Sequence, residues 1–135
     1  MIRIKRAYEP AGRSDGKRIL VDRLWPRGIK RERLKVDEWM KGLSPSDALR
    51  AWFGHTAERW DDFRRRYRAE LTGAEQRALL ERLARFSRDG AVTLLYGARD
   101  AAHNQAVVLS EVLAEDYDCD VAGVPLTVGA SSAKE

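Results

Sequence analysis

Cysteine is nearly absent from this 135-residue chain: Cys119 stands alone, so no intrachain disulfide can staple the fold, and a reducing compartment suits it. Long apolar runs are missing as well. None approaches the roughly 20 residues a bilayer requires, and Met1-Ile2-Arg3-Ile4-Lys5-Arg6 lacks the apolar core of a secretory signal, so the expectation is a cytoplasmic protein with no membrane segment. Histidine is scarce. His55 and His103 are far apart and neither has a second ligand at metal-binding spacing, which speaks against zinc. Walker-type and G-x-G-x-x-G phosphate loops are absent, as is a G-x-S-x-G nucleophile turn, so no nucleotide cofactor or serine nucleophile is expected. Glu115, Asp116, Asp118 and Asp120 lack the glycine and closing glutamate of a calcium loop, and no metal is expected. The same acids would raise the pKa of the Cys119 thiol and make it a poor nucleophile. Internal repeats and low-complexity segments are also lacking.

What the chain does have is a 44% hydrophobic content, enough for one ordinary core and one domain. Its net charge of +4 comes from 25 basic against 21 acidic residues, and 19 of the basic ones are arginine. Such a surplus follows from a GC-rich genome as readily as from selection for phosphate or carboxylate contacts. The balance is modest beside that of dedicated nucleic-acid binders.

The most informative stretch is Val92 to Asn104. Val92 to Leu95 is a β-favouring apolar run, Gly97 frees the backbone, and Ala101 to Ala114 has helical composition with Asp100 just before it, which predicts strand, tight turn and helix. Upstream, residues 1–8 alternate as a half-exposed strand, and Ile19-Leu20-Val21 reads as a strand covered on both faces. Pro26 then forces the chain out of the sheet into a basic loop carrying Arg23, Arg27, Lys30, Arg31, Arg33 and Lys35. From Trp39 onward the pattern is helical. Ser44 is the expected N-cap of a helix carrying Leu49, Trp52 and Phe53 and closed by Gly54. A second helix carries Trp60, Phe63, Tyr67 and Leu71 inward. A third starts at a capping box, Thr72 to Glu75, and turns Leu79, Leu83 and Phe86 inward. The last helix should bury Ala106, Leu109, Val112 and Leu113, and Val124 to Val128 is read as a short edge strand before a frayed tail.

Roughly seventy residues, mostly helical, separate the strand at Ile19 from that at Val92, a crossover length that predicts parallel neighbours with a shared carboxyl edge. The expected fold is α/β, a small, mostly parallel sheet of about three strands with helices packed on it. Ligands of such sheets gather at that edge, where helix N-termini attract anions. The candidate site therefore sets Asp22, Arg23 and Arg27 opposite Tyr96, Arg99, Asp100, His103 and Asn104. Asp22 would act as base or orienter and His103 as proton donor, with the arginines holding an anion. Plainer roles stand beside these: a structural ion pair for Asp22, an N-cap for Asp100, a solvent-facing ring for His103.

Three blocks, Leu20 to Gly28, Leu49 to His55 and Thr93 to Asp100 with His103-Asn104, resemble the YeaO-like branch of the bacterial domain of unknown function 488. The resemblance spans roughly residues 1–115, with 116–135 as an acidic segment and flexible tail. It implies a small α/β fold and no settled activity. The broader family often carries a cysteine and a Cys-His-Arg run after its last strand. Tyr96 and Ala102-His103-Asn104 stand near those positions here, a departure that puts cysteine-based chemistry in doubt for this chain. The function expected is a site for a small phosphate- or carboxylate-bearing molecule, in an enzyme or a binding protein. The alternative is a nucleic-acid-associated module using Arg27 to Lys35 and the Arg64 to Arg68 face. The oligomeric state is not legible.

Overall fold

The computed structural model describes residues 1–123, so the expected strand at Val124 to Val128 lies outside the described residues. Strands β1 (Ile2–Arg6), β2 (Lys17–Leu20), β3 (Glu38–Trp39) and β4 (Val92–Tyr96) form one sheet in the order β1-β4-β2-β3, and each neighbouring pair is parallel. Five α-helices accompany them: α1 (Arg31–Leu34), α2 (Asp47–Phe53), α3 (Trp60–Glu70), α4 (Ala74–Asp89) and α5 (Gln105–Asp116). The fold is thus the expected small parallel α/β unit. β2 pairs with β4 from Lys17 opposite Val92 to Leu20 opposite Leu95, so their carboxyl ends share an edge.

The additional strand is β3, where helix was expected from Trp39. β2 has a free edge after pairing with β4, and the chain leaving α1 takes it: Asp37 N–H donates to Arg18 O at 2.8 Å and Met40 N–H to Leu20 O at 2.9 Å. Hydrogen-bonding an open parallel edge outweighs local helical preference here. Helix starts also move. Ser46, not Ser44, caps α2, its hydroxyl accepting Leu49 N–H at 3.1 Å while Ser44 ends a 3-10 turn over Lys41–Leu43. Gly54 closes α2 with φ 51°, as expected. Gly73, not Thr72, precedes α4 as its N-cap, and the Thr72 hydroxyl donates back to Ala69 O at 2.7 Å.

The two faces of the sheet differ in covering. Ile2, Ile19, Val21, Met40, Val92, Leu94 and Tyr96 join one core with Phe53, Phe63, Tyr67, Leu83 and the inner face of α5. All four residues expected inward on α5 are buried, as is Leu83 of α4, whereas Leu79 and Phe86 are partly buried at its margin. On the opposite face only Ala7, Leu20, Leu34 and Leu95 are buried together, under Trp25, Ile29, Val36 and Trp39 of the loop around α1. After α5 the chain returns along β1. Ile2 N–H donates to Asp120 O and Ala122 N–H to Ile2 O, each at 2.8 Å, making a parallel bridge between Ile2 and Val121.

A buried ionic knot holds the thinner face. Asp15 accepts from Lys5 Nζ and from Gly12 N–H, both at 3.0 Å, and pairs with Arg18. The remaining Arg18 donors, Nε and Nη2, reach Leu34 O at 2.9 and 2.7 Å. Burial pushes the Asp15 carboxyl pKa up, but the Gly12 N–H, Lys5 and Arg18 outweigh it and hold it below the ordinary value. Folding therefore favours the ionised form. Its stabilisation is complete above the unfolded pKa and lost as pH falls through the depressed folded one. Asp15→Asn strips Arg18 of its buried counter-charge, and urea unfolding at neutral pH should show a loss of about 3–5 kcal/mol.

Candidate functional site at the carboxyl edge

Val21 N–H still donates to Leu95 O at 3.1 Å, so Asp22 leaves β2 directly beside the end of β4. There Gly97 N–H donates to Asp22 Oδ2 at 2.9 Å, and the Gln105 side-chain amide, in the first turn of α5, donates to Oδ1. A Cβ at position 97 would lie 2.8 Å from Oδ2, so glycine is what lets the two strand ends close on one carboxylate. Trp39 Nε1 donates to Asp22 O at 2.7 Å and fixes the backbone as well.

A cleft of about 400 Å³ opens beside this junction. On its inner side lie Asp22, Gln105 and the buried Asn104, and its apolar wall includes Phe53, Phe63 and Ala98. Its open side is charged, with Arg23, Asp47, Arg50 and His55. Arg23 Nε lies 2.8 Å from Asp47 Oδ1, and Arg50 Nη1 lies 3.4 Å from the same oxygen. Gly54 and then His55 turn left-handed, with φ 51° and 57°, which swings the chain after α2 so that His55 faces the cleft. Burial pushes the Asp22 carboxyl pKa above its ordinary value. The Gly97 and Gln105 hydrogen bonds and the charges of Arg50 and His55 pull the other way without cancelling it.

Of the residues singled out from sequence, Asp22, Arg23 and Asn104 reach the cleft, and Arg27, Tyr96, Arg99, Asp100 and His103 do not line it. The Asn104 side chain is spent as the N-cap of α5: Oδ1 accepts Ala106 N–H at 2.9 Å and Val107 N–H at 3.2 Å. Asp100 caps the turn before it, accepting Ala102 N–H at 2.9 Å and His103 N–H at 3.1 Å. Four of the backbone donors expected to greet an anion, those of Ala102, His103, Ala106 and Val107, are therefore already taken. His103 Nδ1 lies 2.9 Å from Asp100 Oδ2 and its ring meets Trp60 edge-on at 5.0 Å. The hydrogen bond to His103 holds Asp100 below the ordinary carboxylate range. Tyr96 is buried against the helices, and burial pushes its hydroxyl pKa up. Arg27 and Arg99 are exposed.

Sequence reasoning missed Asp47, Arg50, His55 and Gln105. Leu49 to His55 was one of the three blocks carrying the family resemblance, and that was the signal available for Arg50 and His55.

A compact, all-parallel α/β unit with a ligand-sized cleft at the carboxyl edge of its strands is the class of protein this geometry defines. Residues 1–128 match the family described as "Inactive DUF488-N3 subclade", and the chain belongs to this DUF488 family. It is similar to "Uncharacterized protein YeaO" of Escherichia coli K12, 47% identical over 112 residues that cover 83% of this chain and 96% of that one. "Uncharacterized protein Rv3073c" of Mycobacterium tuberculosis H37Rv and "Uncharacterized protein Mb3100c" of Mycobacterium bovis are each 38% identical over 112 residues, covering 83% of this chain and 92% of theirs. No solved structure matches the chain. Among the described residues, no helix is long and apolar enough to cross a membrane.

The raised Asp22 pKa has a measurable consequence. Its ionised form is disfavoured in the folded protein, so wild-type stability carries a penalty above the folded pKa that is relieved as pH falls toward the unfolded one. Denaturation of Asp22→Asn across mildly acidic to neutral pH should show the variant gaining relative to wild type as pH rises. A constant difference would mean that the carboxyl pKa is unshifted.

Proposed function

We propose that this chain binds a small anionic molecule, through a carboxylate or phosphate group, in the cleft beside Asp22. The observation that carries the proposal is the convergence of Arg23 and Arg50 on one carboxylate oxygen of Asp47 at the cleft's open side, with His55 lining it too. Arg23 and Arg50 side chains are each 43% exposed and that of Asp47 is 71% exposed. An exposed pair of this kind contributes at most about 1 kcal/mol, so a ligand anion can displace Asp47 cheaply. The arginines are preferred to the expected contact at the α5 N-terminus because Asn104 already accepts from two of its first-turn N–H groups and Asp100 from those of Ala102 and His103 just before it.

Binding is favoured over catalysis. No contact supports the acid/base roles of Asp22 and His103, since His103 lies against Asp100 and Trp60 and does not line the cleft. The family description, "Inactive", points the same way for the subclade.

A second reading, nucleic-acid binding, draws on one observation. Arg27, Lys30, Arg33 and Lys35 are exposed and form no ion pair among the described residues. The α3 face contributes less: Arg64 and Arg68 pair with Glu111, Arg65 pairs with Asp62, and Arg66 lies over Trp52 at 4.3 Å.

Calorimetric titration with inorganic phosphate and a panel of small carboxylic acids tests the first reading. Arg50→Ala should weaken the bound anion by roughly tenfold, about 1.4 kcal/mol, and Asp47→Asn should tighten it. Indifference of binding to both substitutions would overturn the proposal. For the second reading, retardation of RNA or DNA at low salt should fall steeply as salt rises and vanish when those four loop cations become alanine. Wild-type protein that retards neither nucleic acid would remove it.

A further inference from the structure

We infer that the cleft is built for an amphoteric ligand, with a carboxylate at one end, a protonated amine at the other and an apolar body between them. The inference rests on the anion-binding proposal above and adds a second pole to it.

The protein's own groups show what each end of the cleft accepts. At the open side, Arg23 Nε and Arg50 Nη1 already hold a carboxylate oxygen, that of Asp47, at 2.8 and 3.4 Å. A ligand carboxylate meets the same two donors once Asp47 swings into solvent. On the inner side, Asp22 receives only neutral N–H donors, the Gly97 backbone at 2.9 Å and the Gln105 amide. Among the described residues no lysine, arginine or histidine pairs with it, although Arg50 and His55 act on it from further away. An ionised carboxylate oxygen can accept two hydrogen bonds, so one direction on each Asp22 oxygen remains open after these contacts.

A half-buried carboxylate held by neutral donors has surrendered hydration with no cation in direct contact, and the more distant charges of Arg50 and His55 do not make up the loss, as its raised pKa reports. An ammonium group entering the cleft supplies the missing charge. A plain anion does the reverse, because its charge adds to that of Asp22. Asp22 thus selects among the acids that the arginines would otherwise accept alike. Phe53 and Phe63, which also line the cleft, stack at 4.4 Å and give its wall an apolar surface for a short hydrocarbon or aromatic body. A volume of about 400 Å³ is at the small end of ligand pockets.

The test compares matched ligands on the wild-type full chain by calorimetry: free α-, β- and γ-amino acids, their N-acetyl forms, which lack the ammonium, and their amides, which lack the carboxylate. At least one free amino acid should bind, and each of its capped forms should bind at least about tenfold more weakly. Asp22→Asn should erase the preference for free over N-acetyl ligand while keeping that for acid over amide, and Arg50→Ala should do the opposite. N-acetyl forms that bind as tightly as the free acids would overturn the amphoteric inference and leave the anion proposal standing. Amides that bind as tightly as the acids would overturn both. Failure of every amino acid to bind overturns the amphoteric inference, and the phosphate and carboxylate titrations then decide the anion proposal on their own. The capped ligands need no variant, so a poorly folding Asp22→Asn does not blunt the result.

Discussion

The Asp22 carboxylate takes the Gly97 N–H on one oxygen and the Gln105 amide on the other, and this joins the end of β2, the end of β4 and the first turn of α5. The cleft, its charged side and the placement of α5 all refer to that junction. It depends on two conditions. The strands must run the same way, so that their ends emerge together, and residue 97 must lack a Cβ, so that the carboxylate can approach the backbone. Burying the charge costs desolvation that two hydrogen bonds from neutral donors only partly offset.

Charge elsewhere in the molecule is mostly committed to structure. Asp15, Lys5 and Arg18 tie the β1–β2 loop to the thinly covered face of the sheet. The arginines of α3 join that helix to α5 through Glu111 and Glu115. Arg82 and Glu38 similarly connect α4 to β3. Arg31 and Lys41 lie over the faces of Trp25 and Trp39, where their stems shield the rings and the cations gain from the ring quadrupole. Much of the arginine surplus is thereby accounted for inside the fold. The exposed cations of the loop around α1 and the arginines beside the cleft are among those left available to partners, with Arg13, Arg77, Arg85, Arg88 and Arg99 also exposed.

The parallel pairing of β2 with β4 was legible because Ile19-Leu20-Val21 and Val92 to Leu95 are β-favouring runs, although β2 itself begins two residues earlier at Lys17, and the long helical connection between them leaves little other topology. From that pairing came the location of the candidate cleft and three of its lining residues, Asp22, Arg23 and Asn104. The helix starts were less legible. Ser44 and Ser46 both have the chemistry of an N-cap, and the choice fell to Ser46, which also binds Glu70 of α3 at 2.9 Å through its backbone N–H. Trp39 shows the same dependence, since the unpaired edge that decided its conformation belongs to Leu20, about 60 Å away along an extended chain at about 3.3 Å per residue.

Sequence by itself determined the strand at Val92 and the existence of a helix after it, the apolar stripes of the helices and the need for a parallel crossover, because these follow from local composition and from how far a chain must travel between neighbours. It did not determine the start of that helix, which falls at Gln105 rather than Ala101 because Asn104 caps it after an eight-residue connection in place of a tight turn. Only the tertiary structure decided which side chains share the cleft. Arg50 and His55 arrive there from the crossover itself, carried by the packing of α2 against α3 and by two left-handed residues in succession. His103, beside the right strand in sequence, is turned instead toward Asp100 and Trp60, because the capping of α5 and the stacking of one ring against another set its direction. Spacing along a chain limits which backbones can meet, and packing chooses where their side chains point.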